Sequence, residues 1–205
     1  MTHEQPPSQQ PDDPEHASTA EQQQADPPTI WVGSLADYNN GDLHGDWLDA
    51  SRGAEDVHAD IQAMLARGPA AARGETPEEW GIFDYEGFGS LRIGEYESIE
   101  YVSQVARGIA EHGPAFAAWA DVMEAEDLLD GFTGAYLGHY DSLEAYAESW
   151  LDDAGYDRVL DEILPESIRR YVHFDAAAFG RDLRLGGDIH AVPAATGGIY
   201  VFRAT

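Results

Sequence analysis

Residues 111–157 of the chain have the sequence EHGPAFAAWADVMEAEDLLDGFTGAYLGHYDSLEAYAESWLDDAGYD. This segment contains many carboxylates but neither Lys nor Arg, because the nearest basic residues are Arg107 and Arg158. Apolar side chains are spaced throughout it, so it can fold and pack against a core. Carboxylates four residues apart on a helix destabilise it by about 0.2–0.5 kcal/mol per pair when no cation compensates. The segment keeps these unfavourable pairs without a compensating basic residue, and it is therefore a candidate for function.

The whole chain is strongly acidic. Its 205 residues include 39 Asp and Glu, 11 Arg and no Lys, which gives a formal net charge of -28. Because 43% of the residues are hydrophobic, the chain can form a core, and the acidity does not predict general disorder. A body with this charge is repelled by nucleic acid and by anionic lipid. We therefore expect a basic protein partner, no nucleic acid and no membrane.

Targeting and thiol signals are absent from the sequence. No run of about 20 apolar residues could span a membrane, and the polar N-terminus lacks the apolar core of a signal peptide. These features predict a cytoplasmic protein. The chain has no cysteine, which excludes disulfides and thiol nucleophiles.

No motif for catalysis or for a nucleotide is found. Gly87-Phe88-Gly89 is followed by Arg92 where a dinucleotide-binding pattern requires a third Gly. A phosphate-binding loop requires a Lys, which the chain lacks. We therefore predict that the protein is not an enzyme and has no catalytic residue and no cofactor.

Two pairs of residues could each form half of a metal site. His44 and Asp46 share one face of a predicted strand, and so do Asp188 and His190. An exposed polar face beside a turn explains both pairs more simply. We therefore predict no metal site.

Apolar periodicity predicts an α+β fold, because strands and helices do not alternate regularly. Strands are expected at 30–35 and 43–48, and a tight turn at Asn40-Gly41 joins them into a β-hairpin. A capping box at 76–79 predicts a short helix after a loop at 70–74. Further helices are expected at 54–67, 98–111, 114–130, 142–153, 157–164, 165–171 and 176–185. Further strands are expected at 80–85, 188–192 and 199–203, and a short strand or an extended loop at 132–140.

The helix predicted after Ser142 has one apolar and one acidic side. Its apolar stripe contains Leu143, Tyr146, Ala147, Trp150, Leu151 and Ala154. Asp141, Glu144, Glu148 and Asp152 follow one another on the other side. Acids four residues apart lie about 6 Å apart along a helix axis, which is of the same order as the ~3.4 Å between phosphates on one DNA strand. Asp152 and Asp153 also lie at the helix C-terminus, where the dipole disfavours negative charge by about 0.3–1 kcal/mol.

The total charge has the scale of a DNA segment. Six of the 39 acids lie in residues 1–28, which leaves 33 acids against 11 Arg and a net charge of -22. Since duplex DNA carries one negative charge per about 1.7 Å, this charge corresponds to about 37 Å of duplex, or roughly eleven base pairs. A compact domain of this length has a diameter of about 40 Å. One subunit therefore carries about the linear charge of a duplex of its own length.

Four segments of the chain resemble the ArdA antirestriction proteins. The longest is IWVGSLADYNNGDLHGDWLDA at 30–50, and the others are EWGIFDYE at 79–86, YLGHYDS at 136–142, and FGRDL at 179–183 with Gly186-Gly187. The similarity spans residues 30–205. In this family we would expect an acid at the position of His139 and a polar residue at that of Phe83.

The resemblance implies a specific activity and architecture. Members of the family come from plasmids and other mobile genetic elements, and they imitate the phosphates of B-form DNA to occupy the DNA-binding groove of type I restriction-modification enzymes. The expected partner is the methyltransferase and specificity core of such an enzyme, and the expected assembly is a homodimer. The implied fold is an elongated α+β chain of three small subdomains, which we place at 29–97, 98–130 and 131–205. Residues 1–28, rich in Gln, Pro and acids, are expected to form a disordered tail.

The expected interface consists of the carboxylates of the acidic segment. Asp141, Glu144 and Glu148 match family positions that are commonly acidic. The predicted phosphate-mimicking residues are Asp121, Glu124, Glu126, Asp127, Asp130, Asp141, Glu144, Glu148, Asp152 and Asp153.

Two other functions fit the same composition. In a domain adapted to high salt, the acids only hold water and are scattered over every face. Alternatively, the acids bind another basic DNA-binding protein, such as a nucleoid protein. A DNA mimic differs from the first alternative because it requires the acids to be concentrated in continuous stripes.

Overall fold

The computed structural model describes residues 26–123 and 128–204 of the chain. The predicted tail, residues 1–28, lies almost entirely outside this part. In chain order the elements are β1 (Thr29–Ser34), α1 (Leu35–Asn39), β2 (Gly45–Asp49), α2 (Ala54–Ala66), α3 (Pro69–Ala72), β3 (Trp80–Glu86), α4 (Ile99–His112), α5 (Pro114–Val122), α6 (Leu128–Ala135), β4 (Tyr136–Tyr140), α7 (Leu143–Asp153), α8 (Tyr156–Ile163), α9 (Glu166–Arg169), α10 (Ala176–Gly186), β5 (Ile189–Pro193) and β6 (Ile199–Arg203). The expected α+β class is confirmed.

The first sheet has the antiparallel order β2-β1-β3. One face of the sheet is apolar and packs on α2 and α4 in the main core cluster, which includes Ile30, Val32, Leu48 and Ile82 from the strands. Alternation of side chains along each strand places these residues on one face and leaves the other face toward solvent. The sheet thus presents its strands to the core from one side only.

The predicted hairpin of β1 and β2 is confirmed, but its predicted tight turn is wrong. The side-chain oxygen of Ser34 accepts a hydrogen bond from the Asp37 backbone N–H at 3.2 Å, which caps the one-turn helix α1. Asn40 ends this helix, so Asn40-Gly41 is the end of a helix and not a two-residue turn.

A buried carboxylate holds α1 in place. Asp37 is fully buried, and its Oδ1 accepts a hydrogen bond from the Ala70 N–H in α3 at 2.6 Å. The guanidinium of Arg73 lies 3.7 Å from the same oxygen. The sequence predicted a loop at 70–74, but residues 69–72 form α3, whose first N–H groups are available to this carboxylate. The helix predicted from the capping box at 76–79 is wrong, since these residues are extended before β3.

The helix predicted at 114–130 is also wrong as one element. Helix α5 ends at Val122 because Met123 has an extended backbone, with φ -109° and ψ 121°. The indole Nε1 of Trp119 donates a hydrogen bond to the Leu128 carbonyl at 3.1 Å, which fixes the start of α6. Helix α6 continues through Gly131, where the sequence predicted a break, and it contains Phe132, which was expected in a short strand or an extended loop.

An aromatic cluster around Phe132 joins the two sheets. The Phe132 ring centroid lies 5.2 Å from that of Phe116, 6.4 Å from Trp119 and 6.2 Å from Phe202. Phe202 belongs to β6, the central strand of the second sheet, whose order is β4-β6-β5. The main core cluster therefore extends from Ile30 to Phe202. The division into three subdomains stays a prediction.

The second sheet packs against α7 and α10. The strands predicted at 188–192 and 199–203 are confirmed as β5 and β6, and they pair as an antiparallel hairpin with Ile189 opposite Arg203. In the described part of the chain, no helix has the length and apolar character needed to cross a membrane.

Replacing Gly108 in α4 by Ala is expected to destabilise the protein by about 1–3 kcal/mol, because the added methyl group would overlap the buried Phe116 ring. The matched control is Gly134→Ala in α6, where nothing lies within 4 Å of the added carbon. This control should be neutral or stabilise by up to about 1 kcal/mol, since Ala favours helix more than Gly does. Urea unfolding measures both changes. Equal free energies of unfolding for the two variants would contradict the packing described for Phe116.

Candidate acidic interface

Helix α7 carries the acidic row predicted from the sequence. The side chain of Ser142 accepts a hydrogen bond from the Ala145 N–H at 3.1 Å and caps the helix. Tyr146, Ala147 and Leu151 are buried. Burial of this stripe turns the opposite side outward, and Glu144, Glu148 and Asp152 are all exposed.

The neighbouring elements fix the direction of this side of α7. Helix α10 packs along α7, and the Trp150 and Phe179 ring centroids lie 5.2 Å apart. Tyr146 belongs to the small core of the second sheet together with Ile189 and Val201. The acidic row is therefore presented by a helix that is held by a sheet and by a second helix.

The row on the helix is shorter than predicted. Glu144, Glu148 and Asp152 repeat every four residues and rise by about 6 Å per step. Asp141 precedes the cap residue Ser142, so it lies in the connection from β4 and not on the helix. Asp153 is the last residue of α7 and is exposed.

The carboxylates of this region have no cationic partner in the described part of the chain. None of Asp141, Glu144, Glu148, Asp152 and Asp153 forms an ion pair with an arginine or histidine there. Glu144 lies in the first turn of α7, where the helix dipole favours it, whereas Asp152 and Asp153 lie in the last turn, where the dipole disfavours them. The acids of the row are therefore not paired with cations, and the helix dipole opposes the two acids at the C-terminus.

Arginines neutralise acids elsewhere. Arg52 pairs with Asp60, and Arg67 pairs with Asp46. Arg73 binds Asp42 and Glu75, each at 3.0 Å. These pairs connect α2 and α3 to the first sheet and its loops. Within the described residues, acids around α2 and α3 are thus paired with arginines, whereas the acids of α7 are not.

A second pair of carboxylates follows α7, and the predicted interface did not include it. Asp157 and Asp161 lie one turn apart on α8, and Arg169 of α9 donates to both, at 2.6 Å and 2.7 Å. The hydrogen bond with Asp161 contributes most to raising the pKa of Arg169, and the charge of Asp157 acts in the same direction. The i, i+4 spacing could have identified this pair from the sequence, but the distant Arg169 could not be assigned to it.

A cleft lies between the α7 row and this pair. It has a volume of about 340 Å³, and its wall includes Glu148, Asp152, Asp157 and Arg169. The negative surface thus continues from α7 to α8, although Arg169 neutralises part of the charge on α8.

The other predicted interface residues are only partly placed. Asp121 is exposed at the end of α5, next to Val122. Val122 and Asp141 line one groove of about 670 Å³, whose wall also contains Arg184. Asp130 lies in α6, and the structure does not describe its side chain. Glu124, Glu126 and Asp127 lie outside the described residues.

Exposed carboxylates are also found far from α7. Examples are Glu55 in α2, Glu78 and Glu79 before β3, and Glu111 in α4. This spread is the distribution that salt adaptation predicts. The feature particular to α7 is an ordered row of acids without partners.

The candidate metal pairs have other contacts. His44 Nε2 lies 2.8 Å from the Met64 carbonyl oxygen, and Asp46 is paired with Arg67. In residues 26–123 and 128–204, no group of three or more His, Asp or Glu side chains could hold a metal ion. His190 lines the groove that contains Asp141 and Arg184.

Replacing Glu148 by Gln is expected to stabilise the protein by about 0.4–1 kcal/mol at low salt, because it removes the repulsion with Glu144 and with Asp152. Urea unfolding at low salt and at 1 M NaCl measures the effect, which should shrink at high salt. The control Asp60→Asn removes a paired acid and should cost less than about 1 kcal/mol. A destabilised Glu148→Gln protein, or a gain that persists at 1 M NaCl, would contradict an unpaired row.

The comparisons with known proteins identify the family. The family model described as antirestriction protein (ArdA) matches residues 30–196. This range begins in β1, contains α7 and α8 and ends after β5. The comparison with curated proteins gave no match. The family consists of inhibitor proteins, not enzymes, and implies an interaction with restriction-modification enzymes. The resemblance found in the sequence is thus confirmed, and the chain belongs to the ArdA family of antirestriction proteins.

Proposed function

We propose that this protein inhibits type I restriction-modification enzymes by occupying their DNA-binding groove as a mimic of B-form DNA. The family supplies the antirestriction function, and the mechanism and the class of enzyme are the proposal. The observation that supports the mechanism best is the row of exposed acids without partners on α7. A protein gains no stability from such a row, so its charge is available for a partner.

The charge of the row fits a surface that normally binds phosphates. A DNA-binding groove presents Arg and Lys side chains with condensed anions and water around them. Carboxylates accept charge-assisted hydrogen bonds from guanidinium groups in the same bidentate geometry as phosphates do. Contact with Glu144, Glu148 and Asp152 would satisfy the basic side chains of the groove without presenting a bond that the enzyme can cleave.

The extent of the charge supports a surface larger than α7 alone. The net charge of -22 outside the first 28 residues corresponds to about 37 Å of duplex, and α7 with 11 residues is only about 16 Å long. The other predicted carboxylates, from Asp121 to Asp141, would extend the surface. A homodimer arranged end to end would present the charge of about two turns of DNA. Such an assembly would act in the cytoplasm, where restriction enzymes meet incoming DNA.

The deciding experiment is a restriction assay on unmodified DNA with a type I enzyme, with and without the purified protein. The expected result is protection of the DNA, with binding to the methyltransferase and specificity core that competes with duplex DNA. Binding should weaken strongly as salt rises, because the ions released on association gain less entropy when the surrounding salt is more concentrated. An affinity that does not change between low and physiological salt would rule out mimicry by charge.

Neutralising the row should weaken binding through its charge. Binding of the variant Glu144→Gln/Glu148→Gln/Asp152→Asn is expected to depend less on salt. The magnitude of the slope of log affinity against log salt should fall by about 3, or about 1 for each lost charge. The control Glu55→Gln/Glu78→Gln/Glu79→Gln removes the same charge from exposed positions of the N-terminal half and should change the slope less. Circular dichroism is used to check that both variants are folded. Equal slopes for the two variants would mean that the α7 row has no special part in binding.

The same measurements separate the two alternatives. A salt-adapted domain unfolds at low salt and does not compete with duplex DNA for the enzyme. A binder of a nucleoid protein retains that protein, and not the restriction enzyme, when the two are compared side by side in a pull-down.

A further inference from the structure

The outer face of the first sheet, opposite the core, carries aromatic side chains. In the register of the strands, Trp31 lies opposite Trp47 of β2 and opposite Asp84 of β3. Residues directly opposite each other in antiparallel strands lie on the same face. Phe83 joins this face because the pairing of β1 and β3 shifts between Trp31 and Val32, which leaves Phe83 without an opposite residue.

The rings of Trp31, Tyr38 and Phe83 form a connected group that lies close to the backbone, and Trp47 lies opposite Trp31 on the neighbouring strand. The Phe83 centroid is 5.7 Å from that of Trp31 and 5.6 Å from that of Tyr38 in α1. A Cβ atom at Gly33 would lie 2.7 Å from the Phe83 ring, and one at Gly45 would lie 2.6 Å from the Trp31 ring. The two glycines therefore leave room for the rings directly above the strands. We call Trp31, Tyr38, Trp47 and Phe83 the aromatic face.

The aromatic face is open to solvent. The exposed fractions are 59% for Tyr38, 47% for Trp47 and 39% for Phe83. A connected apolar patch of large side chains is uncommon on a soluble protein and marks an interaction surface. Tryptophan and tyrosine also contribute most often to the energy of protein interfaces.

The charged side chains that the three strands place on the side of the aromatic face are all negative. Asp49 and Glu86 both lie opposite Thr29 and hence on the same side of the sheet as Trp31, next to Asp84. The strands β1, β2 and β3 contain no basic residue. Arg67 forms an ion pair with Asp46 of β2, and Arg73 forms one with Asp42. The face therefore combines electron-rich rings with carboxylates, which favours a cationic occupant.

We propose that the aromatic face binds arginine side chains of the protein partner and forms a second contact beside the acidic row. A guanidinium is planar and weakly hydrated, so it stacks on an aromatic ring better than the ammonium of lysine does. The rings supply the cation–π attraction, and Asp49, Asp84 and Glu86 accept the N–H groups. This inference rests on the proposed function only for the identity of the partner, a restriction-modification enzyme.

The test uses hexa-arginine and hexa-lysine peptides as probes of equal charge, with affinities measured by calorimetry on the full chain. Carboxylates elsewhere bind both peptides, so the measured quantity is the ratio of the two affinities. In Trp47→Leu/Phe83→Leu, which removes two rings but keeps apolar side chains, the preference for hexa-arginine should fall by about 2–5-fold for each ring lost. The affinity for hexa-lysine should change less.

Two controls make the result specific. Trp150→Leu is chemically the same change at a residue that is also 47% exposed but lies on α7, and it should leave the ratio unchanged. Trp47→Phe keeps a ring and should retain most of the preference. Thermal unfolding followed by circular dichroism is used to check that each variant is folded. A ratio that is the same in the wild type and in Trp47→Leu/Phe83→Leu overturns the proposal.

Two further outcomes are separated by the design. If the double variant changes the sedimenting mass of the protein but not the peptide ratio, the face is a contact between two copies of the chain and the proposal falls. If the ratio falls as expected but the wild type does not compete with duplex DNA for the enzyme, the arginine-binding face stands and the proposed function fails.

Discussion

Burial of apolar side chains has to hold together a chain whose surface charges repel one another. The net charge is -28, because 39 acids are offset by only 11 Arg and by no Lys. The opposing contribution is a core that begins at Ile30 in the first sheet and reaches Phe202 in the second. Phe132 lies at the point where the two halves meet, with Phe116 and Trp119 of α5 on one side and Phe202 on the other. This cluster connects α5 and α6 to the second sheet, within the core that begins in the first sheet.

Four of the eleven arginines form ion pairs with acids within the described residues. Arg67 and Arg73 hold α2 and α3 to the loops of the first sheet, and Arg169 holds α9 to two acids of α8. In the described part of the chain, the acids of α7 take part in no such pair. Repulsion along α7 is instead offset by the buried stripe of Tyr146, Ala147 and Leu151. Within the described residues, the ion pairs therefore support local structure, while the α7 row is left without a cationic partner.

Local signals in the sequence were reliable where the residues that decide the structure are close together in the chain. Helices were predicted to begin at Ser98 and Ser142, and each serine caps a helix there by accepting a backbone hydrogen bond. They failed where a distant partner decides between two local structures. Asn40-Gly41 is typical of a tight turn, yet Asp37 and Ser34 form a helix there because Asp37 can bind the N–H of Ala70. Helix α5 ends early although its apolar pattern continues, because Trp119 bonds to the Leu128 carbonyl beyond the end of the helix.

The sequence by itself determined the α+β class and the helical phase that places Glu144, Glu148 and Asp152 together, since periodicity is a property of neighbouring residues. It also indicated the family, through the resemblance of four segments to the ArdA proteins, which the family model confirms. Tertiary structure alone decided which acids are neutralised: Arg169 reaches Asp157 and Asp161 across a chain turn, whereas no arginine within the described residues pairs with the α7 row. It also decided that Trp31, Trp47 and Phe83 share one open face, because strands that are distant in sequence become neighbours only when the sheet forms. Charge pairing and surface continuity depend on distances in space, which the order of residues along the chain does not contain.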